Sequence, residues 1–310
     1  MSVPLLVIAG PTGVGKSAIA VAVARAVGGE VVGADSMQVY RGMDIGTGKL
    51  RTAEMAGVPH HMIDVWRPEE RGSAGRYLAE ARAAIVAIHH RGHLPILCGG
   101  TGLYIRAVLD GLAEGTARDP EVEEGLEERL GAEGAAALHA ELAQVDPPAA
   151  ERIAPGDGFR IVRALGVFLA TGMPFSLIQE EATIAGGYRV AYVLLHRPRA
   201  ALYRRIDRRV AEMFAAGFVD EVRGLAPRLG PTARPAIGYR ECLKHLAGET
   251  DLPATVAAVK QATRRYAKRQ LTWFRAVPDA IAVDVEGQEV EEVTRAIVDL
   301  LSCRGVWPHV

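Results

Sequence analysis

The sequence contains no apolar run that approaches the ~20 residues needed by a membrane-spanning helix. Its first apolar run also lacks a basic leader, because Lys16 is the first charged residue. We therefore expect a protein that stays in the cytoplasm and has no membrane partner.

Cysteine is scarce. The three cysteines, Cys98, Cys242 and Cys303, are an odd number without paired or metal-ligand spacing, which favours reduced thiols. Cys98 lies in an apolar run and is predicted to be a small core residue. These cysteines indicate neither a disulfide framework nor a zinc site.

An excess of charge of one sign is also missing, since 36 basic residues face 37 acidic ones. A polyanion must then be bound by local patches and not by a general field. The 310 residues, of which 49% are hydrophobic, suffice for one large α/β domain with an insertion, or for two domains.

Against this background, one octet matches the phosphate-binding pattern G-x-x-x-x-G-K-[ST] completely. Its residues are Gly10, Pro11, Thr12, Gly13, Val14, Gly15, Lys16 and Ser17. A strand-like run, 5–9, precedes it and a helical run, 17–27, follows it, which is the context that this loop requires. A glycine-rich turn without a ligand is the alternative, and this context disfavours it. The loop amides, the helix N-terminus and Lys16 would bind phosphate, and the Ser17 hydroxyl can hold Mg²⁺.

Two further segments are predicted to lie beside this loop, because parallel strands end at one edge of a sheet. The strand 30–34 leads into Asp35, Ser36, Met37 and Gln38, and the strand 93–98 leads into Gly99, Gly100 and Thr101. Asp35 can act at a ligand, cap a helix or anchor magnesium. Thr101 can contact a ligand or simply cap the next helix.

The alternation of strands and helices favours a right-handed parallel sheet. The interval 114–187 interrupts it with helical patterning, and nine acidic residues stand between 114 and 141. We predict an α/β fold with a P-loop NTPase-like parallel sheet flanked by helices, and an all-helical insertion domain. Its predicted parts are 1–113, the insertion 114–187, and 188–310. The adjacent His60 and His61 would point to opposite sides of a strand, which favours a structural role over metal binding.

Two basic segments follow the insertion. In the helix that begins near Pro198, a rotation of ~100° per residue places Arg209 closest to the apolar stripe, where it can meet an anion. Its neighbours Arg204, Arg205 and Arg208 are expected to be solvated or to contact an external polyanion. From 252 to 278 there is no acidic residue, and aromatic residues lie among the cations. This composition favours a nucleic-acid surface over a merely solvated face.

Together these segments resemble the tRNA dimethylallyltransferases, also called tRNA isopentenyltransferases. The matching stretches span nearly the whole chain, and those at 34–47 and 263–274 are more specific than the phosphate loop. They are 10–17, 34–47, 60–61, 99–101, 160–165, 238–241 and 263–274.

The resemblance implies transfer of a dimethylallyl group from dimethylallyl pyrophosphate to the exocyclic amine of the adenine 3′ of a tRNA anticodon. The phosphate loop would hold the pyrophosphate with Mg²⁺ on Ser17, and Arg209 would neutralise the developing charge. Asp35 resembles the general base of the family, and Thr101 would contact the target nucleotide.

The resemblance also implies contacts with the tRNA anticodon stem-loop by a protein expected to be a monomer. The implied contact residues are Asp35, Ser36, Met37, Gln38, Thr101, Glu123, Phe159, Arg160, Arg163, Gly238, Tyr239, Arg240, Arg264, Lys268 and Arg269. Family members often have arginine where this chain has Glu123. Residues 156–159 replace a more polar Asn-Asp-x-Gln stretch.

Two other functions use the same loop. A small-molecule kinase would bind ATP there, but it would not need the acid-free segment. A nucleotide-dependent RNA-binding switch of the GTPase kind would be expected to show an N-K-x-D signal, which we do not find.

Overall fold

The strand that precedes the phosphate loop is the centre of the sheet. In this computed structural model, which describes residues 2–111, 120–176 and 187–307, Leu5 to Ala9 have no exposed surface. Apolar and β-branched residues on both faces make such a strand stable only when helices cover both sides of the sheet. The predicted first strand is thus confirmed as a buried central strand.

In the described ranges, six strands form one sheet, in the order β3-β2-β4-β1-β5-β6, and every neighbouring pair is parallel. Their bounds are β1 Val3–Ala9, β2 Gly29–Ala34, β3 His60–His61, β4 Leu94–Gly99, β5 Tyr188–His196 and β6 Ile281–Asp284. In the register, Gly99 pairs with both Ala9 and Ala34. Three strands therefore end level, and the loops that follow them share one edge.

Helices connect and flank these strands. Their bounds are α1 Lys16–Val27, α2 Ala74–His90, α3 Gly102–Asp110, α4 Pro120–Glu133, α5 Ala135–Val145, α6 Pro147–Arg152, α7 Gly158–Thr171, α8 Arg199–Ala215, α9 Phe218–Leu225, α10 Tyr239–Leu246, α11 Leu252–Phe274 and α12 Val290–Cys303. The predicted parallel sheet flanked by helices is confirmed. None of the described helices combines the length and the apolar composition that a membrane span requires.

Local sequence signals account for several helix ends. The Ser73 side chain accepts a hydrogen bond from the Arg76 N–H at the start of α2, and Asp251 does the same for Ala254 at the start of α11. Helix α1 ends at Gly28, whose left-handed backbone conformation (φ +63°) suits a residue without Cβ.

The chain divides into two compact units. One consists of Met1–Val108 with Gly187–Val310, and the other of Leu109–Gly186. The first has a core around the sheet. The second has its own apolar core, which includes Leu138, Leu142 and Ile161, and its described residues are helical and contain no strand. A role of this unit in binding the anticodon stem stays a prediction.

The paired histidines have structural contacts. His60 Nδ1 lies 2.8 Å from the Val58 carbonyl, and His61 Nε2 lies 2.6 Å from the carboxylate of Glu30. Glu30 is buried and also pairs with Arg91 and with His93 Nδ1 at 2.6 Å. The hydrogen bonds from Arg91, His93 and His61 lower the pKa of Glu30 to about 2.

Candidate functional site

The phosphate loop links β1 to α1 at the carboxyl edge of the sheet. The two glycines that the motif fixes, Gly10 (φ +152°) and Gly15 (φ +112°), have backbone conformations that L side chains rarely adopt, so geometry requires glycine at both positions. Lys16 Nζ donates to the Pro11 carbonyl at 2.9 Å. Burial lowers the pKa of Lys16 to about 8. An anion bound above Lys16 would raise this pKa again, because a nearby negative charge favours the charged amine.

Arginines from α8 and its approach surround this loop. Arg205 Nε donates to the Gly13 carbonyl at 3.0 Å and Arg197 Nε to the Val14 carbonyl at 3.1 Å. Arg209 Nη1 lies 3.5 Å from Thr12 Oγ1. Arg209 therefore lies in the crevice, whereas the expectation that Arg205 is solvated or meets an external polyanion is wrong.

A polar cavity of about 270 Å³ opens above the loop. Lys16, Ser17, Arg205, Arg208 and Arg209 contribute to its wall. This concentration of positive charge and backbone N–H groups at a helix N-terminus suits a pyrophosphate-sized anion. Three predicted pyrophosphate ligands within the loop, Gly10, Pro11 and Val14, are buried and do not line this cavity. Their contact with the ligand stays a prediction.

Cys98 lies between the core of the sheet and the polar cavity. It is partly exposed and lines the polar cavity, because β4 ends beside the phosphate loop and its last side chains face the ligand edge. Burial raises the pKa of its thiol to about 11, so the sulfur is protonated at neutral pH. The prediction of a small core residue is therefore confirmed in part, because Cys98 packs against the core of the sheet and also lines the cavity.

Asp35 and Thr101 lie side by side at the ends of β2 and β4. Asp35 Oδ1 accepts hydrogen bonds from the N–H groups of Met37 (2.9 Å) and Gln38 (3.3 Å). Thr101 Oγ1 accepts from the Ser36 N–H at 3.0 Å. These bonds fix both segments and leave Asp35 at the wall of the polar cavity, which is where a proton acceptor would be useful.

A second cavity of about 300 Å³ adjoins the first. Four residues line both cavities, namely Thr12, Asp35, Thr47 and Arg209. The rest of its wall is mainly apolar and aromatic, with Ile206, Val210, Met213, Phe218, Ile237, Tyr239, Val259 and Tyr266. Asp35 and Arg209 therefore lie at the boundary between the polar cavity and the apolar cavity.

Gln270 connects the phosphate loop to the segment that carries Thr101. Its Oε1 accepts the Thr12 N–H at 2.9 Å, and its Nε2 donates to the Gly100 carbonyl at 2.8 Å. Sequence reasoning placed Gln270 in a matching stretch without a role. In the sequence, the only indication of a role for Gln270 was its position next to Lys268 and Arg269, because its hydrogen-bond partners lie far away in the chain.

The residues of α11 and α10 that are predicted to contact tRNA differ in their exposure and in their bonding partners. Lys268 and Arg269 are exposed, and the Arg269 guanidinium lies 5.6 Å from the centre of the Tyr266 ring. Arg264 pairs with both oxygens of Asp207, at 2.6 and 2.8 Å. The acid-free segment thus receives a counter-charge from α8 that its own sequence does not show.

At the start of α10, Tyr239 is fully buried and its hydroxyl donates to Glu221, so it forms a wall of the apolar cavity and not an exposed contact. Gly238 is the N-cap of this helix, and Arg240 pairs with Glu241. The tRNA contacts of these residues stay predictions.

Within the unit Leu109–Gly186, the predicted contacts form ion pairs or remain exposed. Arg163 pairs with Glu123 at 3.3 Å, and Arg160 pairs with Asp157 at 2.9 Å. Phe159 has 73% of its surface exposed, which is unusual for an aromatic side chain and consistent with a contact surface.

The parallel sheet and the loop that feeds α1 define a protein of the P-loop class. The family model "IPP transferase" matches residues 38–277. The chain belongs to this family. The phosphate loop itself precedes the matched residues and is identified by its own geometry.

Named relatives support the same family. A tRNA dimethylallyltransferase of Syntrophobacter fumaroxidans is 50% identical over 283 residues, which cover 90% of this chain and 83% of that protein. One from Symbiobacterium thermophilum is 47% identical and covers 98% of both chains. Among solved structures, the full-length tRNA isopentenylpyrophosphate transferase of Bacillus halodurans has a TM-score of 0.72 at 39% identity, with 97% of both chains covered. A eukaryotic dimethylallyltransferase acting on tRNA has a TM-score of 0.84 at 28% identity, covering 99% of this chain and 81% of that one.

Proposed function

We propose that this protein transfers a dimethylallyl group from dimethylallyl pyrophosphate to N6, the exocyclic amine, of the adenine immediately 3′ of a tRNA anticodon. One observation carries this proposal: Asp35 and Arg209 line both the polar cavity and the apolar cavity. A prenyl pyrophosphate is divided in the same way, into an anionic head and an apolar tail. The bond that breaks joins the two halves, and it would lie between these residues.

The pyrophosphate head is proposed to bind above the phosphate loop. Lys16, Arg209 and the loop amides would take up the charge that grows on the leaving group as the C–O bond breaks. The five-carbon tail would occupy the cavity walled by Ile206, Val210 and Phe218. Burial of such a tail contributes only ~0.8 kcal/mol per CH₂, so most of the donor affinity must come from charge.

Mg²⁺ fits this arrangement through Ser17, which lines the polar cavity. Among the described residues no three His, Cys, Asp or Glu side chains cluster around a metal position. The Ser17 hydroxyl, pyrophosphate oxygens and water would therefore be its ligands, which are the hard oxygen donors that Mg²⁺ prefers. When bound, the ion reduces the negative charge on the leaving group.

The transfer itself balances with Asp35 as the base. The adenine N6 lone pair forms a bond to C1 of the dimethylallyl group, the C1–O bond breaks, and its electron pair leaves with pyrophosphate. The nitrogen then loses one proton to the Asp35 carboxylate. Asp35 Oδ1 accepts hydrogen bonds from the backbone N–H groups of Met37 and Gln38, and these bonds hold the side chain in place for this step.

The acceptor must reach this buried position as a base turned out of its stack. We propose that Thr101 contacts the target nucleotide and that the exposed Lys268 and Arg269 contact the RNA backbone. Phe159, Arg160 and Arg163 would contact the anticodon stem. We further propose that the protein acts as a monomer in the cytoplasm.

The family match and the named relatives favour this function over a small-molecule kinase. The test is label transfer to tRNA in the presence of Mg²⁺, with carbon-labelled dimethylallyl pyrophosphate or γ-labelled ATP as the sole donor. We expect label from the prenyl donor alone, and competition by inorganic pyrophosphate. Transfer from ATP to RNA or to a small acceptor, with none from the prenyl donor, would support the kinase instead.

A further inference from the structure

The carboxylate of Glu221 holds the backbone of a loop that has no assigned task. Glu221 lies in α9, and its Oε2 accepts the N–H groups of Asp44 (3.0 Å) and Ile45 (2.6 Å). Its Oε1 accepts the Gly46 N–H (3.1 Å) and the Tyr239 hydroxyl (2.6 Å). The carboxylate of Glu221 offers two acceptor oxygens to these four donors, whereas an amide would offer only one.

The next two residues of this loop bind the guanidinium of Arg209. Arg209 Nη2 donates to the carbonyls of Thr47 (3.1 Å) and Gly48 (3.4 Å). A Cβ atom at Gly48 would lie 1.8 Å from that nitrogen, so the guanidinium lies directly against the glycine. Arg209 therefore takes its orientation in the cavity from the loop.

The same loop is held from the other side by aromatic rings. A Cβ atom at Gly46 would lie 2.1 Å from the ring of Phe218 and 2.7 Å from that of Tyr239. The two rings meet edge to face, with their centres 5.2 Å apart. Glu221 thus fixes the loop between a packed aromatic pair and the guanidinium that faces the phosphate loop.

We propose that Glu221 is a positioning residue of the donor site, which acts on pyrophosphate through the 44–48 loop and Arg209. Glu221 lines neither cavity, so it acts without touching the donor: its bonds to the backbone of residues 44–46 set the positions of the Thr47 and Gly48 carbonyls. The inference rests on the proposed function, because it assigns Arg209 to the pyrophosphate of the donor. A purely structural role of Glu221 would instead change stability without a specific effect on pyrophosphate.

The test measures binding of inorganic pyrophosphate with Mg²⁺ by calorimetry to the whole protein and to Glu221→Gln. Glutamine keeps the size of the side chain but loses one acceptor oxygen and the charge. We expect binding to weaken about 10-fold, the scale of one hydrogen bond to a charged group. The KM for dimethylallyl pyrophosphate should rise by the same factor, while the KM for tRNA stays the same. Asp220→Asn, an exposed neighbour in α9, removes the same charge and should match the parent protein.

A double-mutant cycle shows whether the effect passes through Arg209. In an Arg209→Gln background, Glu221→Gln should weaken pyrophosphate binding by less than 2-fold, because the guanidinium it orients is gone. Equal losses in both backgrounds would overturn the inference, as would unchanged binding in Glu221→Gln. Glu221→Ala, which removes all four acceptor contacts, should lose at least as much pyrophosphate affinity, and thermal unfolding checks that each variant is folded.

A parent protein that transfers the prenyl group but fails to bind pyrophosphate measurably would overturn the inference and leave the transferase function standing. A parent protein that does neither would overturn both.

Discussion

Replacing Gln270 by methionine should disconnect the phosphate loop from the Thr101 segment. The substitution keeps the length of the side chain and removes the two polar atoms that bond to Thr12 and Gly100. Gln270 is only 5% exposed, so its two hydrogen bonds are largely shielded from bulk water. Both partners would lose a hydrogen bond at the edge of the polar cavity.

The cost follows from these two bonds. A buried backbone group that loses its partner costs about 1–3 kcal/mol. Thr12 and Gly100 both line the polar cavity, but Thr12 is half-buried and Gly100 is buried, so water can replace the lost partner of Thr12 more readily than that of Gly100. We therefore expect the free energy of unfolding to fall by about 2–3 kcal/mol, in the lower half of the range for two lost bonds.

Catalysis should decline beyond this loss of stability. Small displacements of reacting groups lower rates strongly, and Gln270 holds together the two segments that carry Lys16 and Thr101. We expect kcat to fall about 10-fold or more on that ground. Urea denaturation and steady-state prenyl transfer measure the two effects.

Gln261 provides the matched control, because it is an exposed glutamine on the same helix. Gln261→Met should change unfolding by no more than about 0.5 kcal/mol, as expected for a surface position. If Gln270→Met behaves like Gln261→Met in both assays, the bridge does not organise the site and the reasoning is refuted.

Three further predictions concern other parts of the chain. Asp35→Asn should leave pyrophosphate and tRNA binding in place but slow single-turnover transfer by ~10²-fold or more, as for a lost general base; a near-normal rate would assign Asp35 a structural role. Lys268→Ala or Arg269→Ala should lower tRNA affinity and reduce the slope of log affinity against log salt by about one. Arg25→Ala, on the exposed surface of α1, should change neither quantity. If the slopes of the Lys268 and Arg269 variants equal that of the parent protein, the basic surface is merely solvated. Because its folded-state pKa is lowered from 4.5 to about 2, Glu30 should stabilise the fold at pH values above 4.5, and this contribution of about 3 kcal/mol should disappear as the pH falls toward 2. Denaturation of Glu30→Gln, whose stability should depend less on pH over that interval, checks this.

Local signals in the sequence predicted the parts of the site that depend on short-range geometry. The phosphate loop, the strand before it and the helix after it form one continuous segment, so their pattern contained the needed information. Arg209 was predicted from helical rotation alone, and it does lie in the crevice.

Contacts between distant segments were not predicted. Gln270 bonds to a residue 258 positions away, and Arg264 has its counter-charge 57 positions away. Arg205 was expected to be solvated because helical periodicity describes only its own helix and not the loop packed on it. Glu221 had no signal, since its partners are mostly backbone N–H groups, which every residue except proline has.

The most direct test of the central claim is mass analysis of tRNA that has been incubated with the protein, dimethylallyl pyrophosphate and Mg²⁺. After nuclease digestion, the account predicts that the adenosine immediately 3′ of the anticodon gains one C₅H₈ unit on its base, and that this gain forms ~10²-fold more slowly with Asp35→Asn. Unmodified adenosine at that position, or a product that forms only when ATP is supplied, would contradict it.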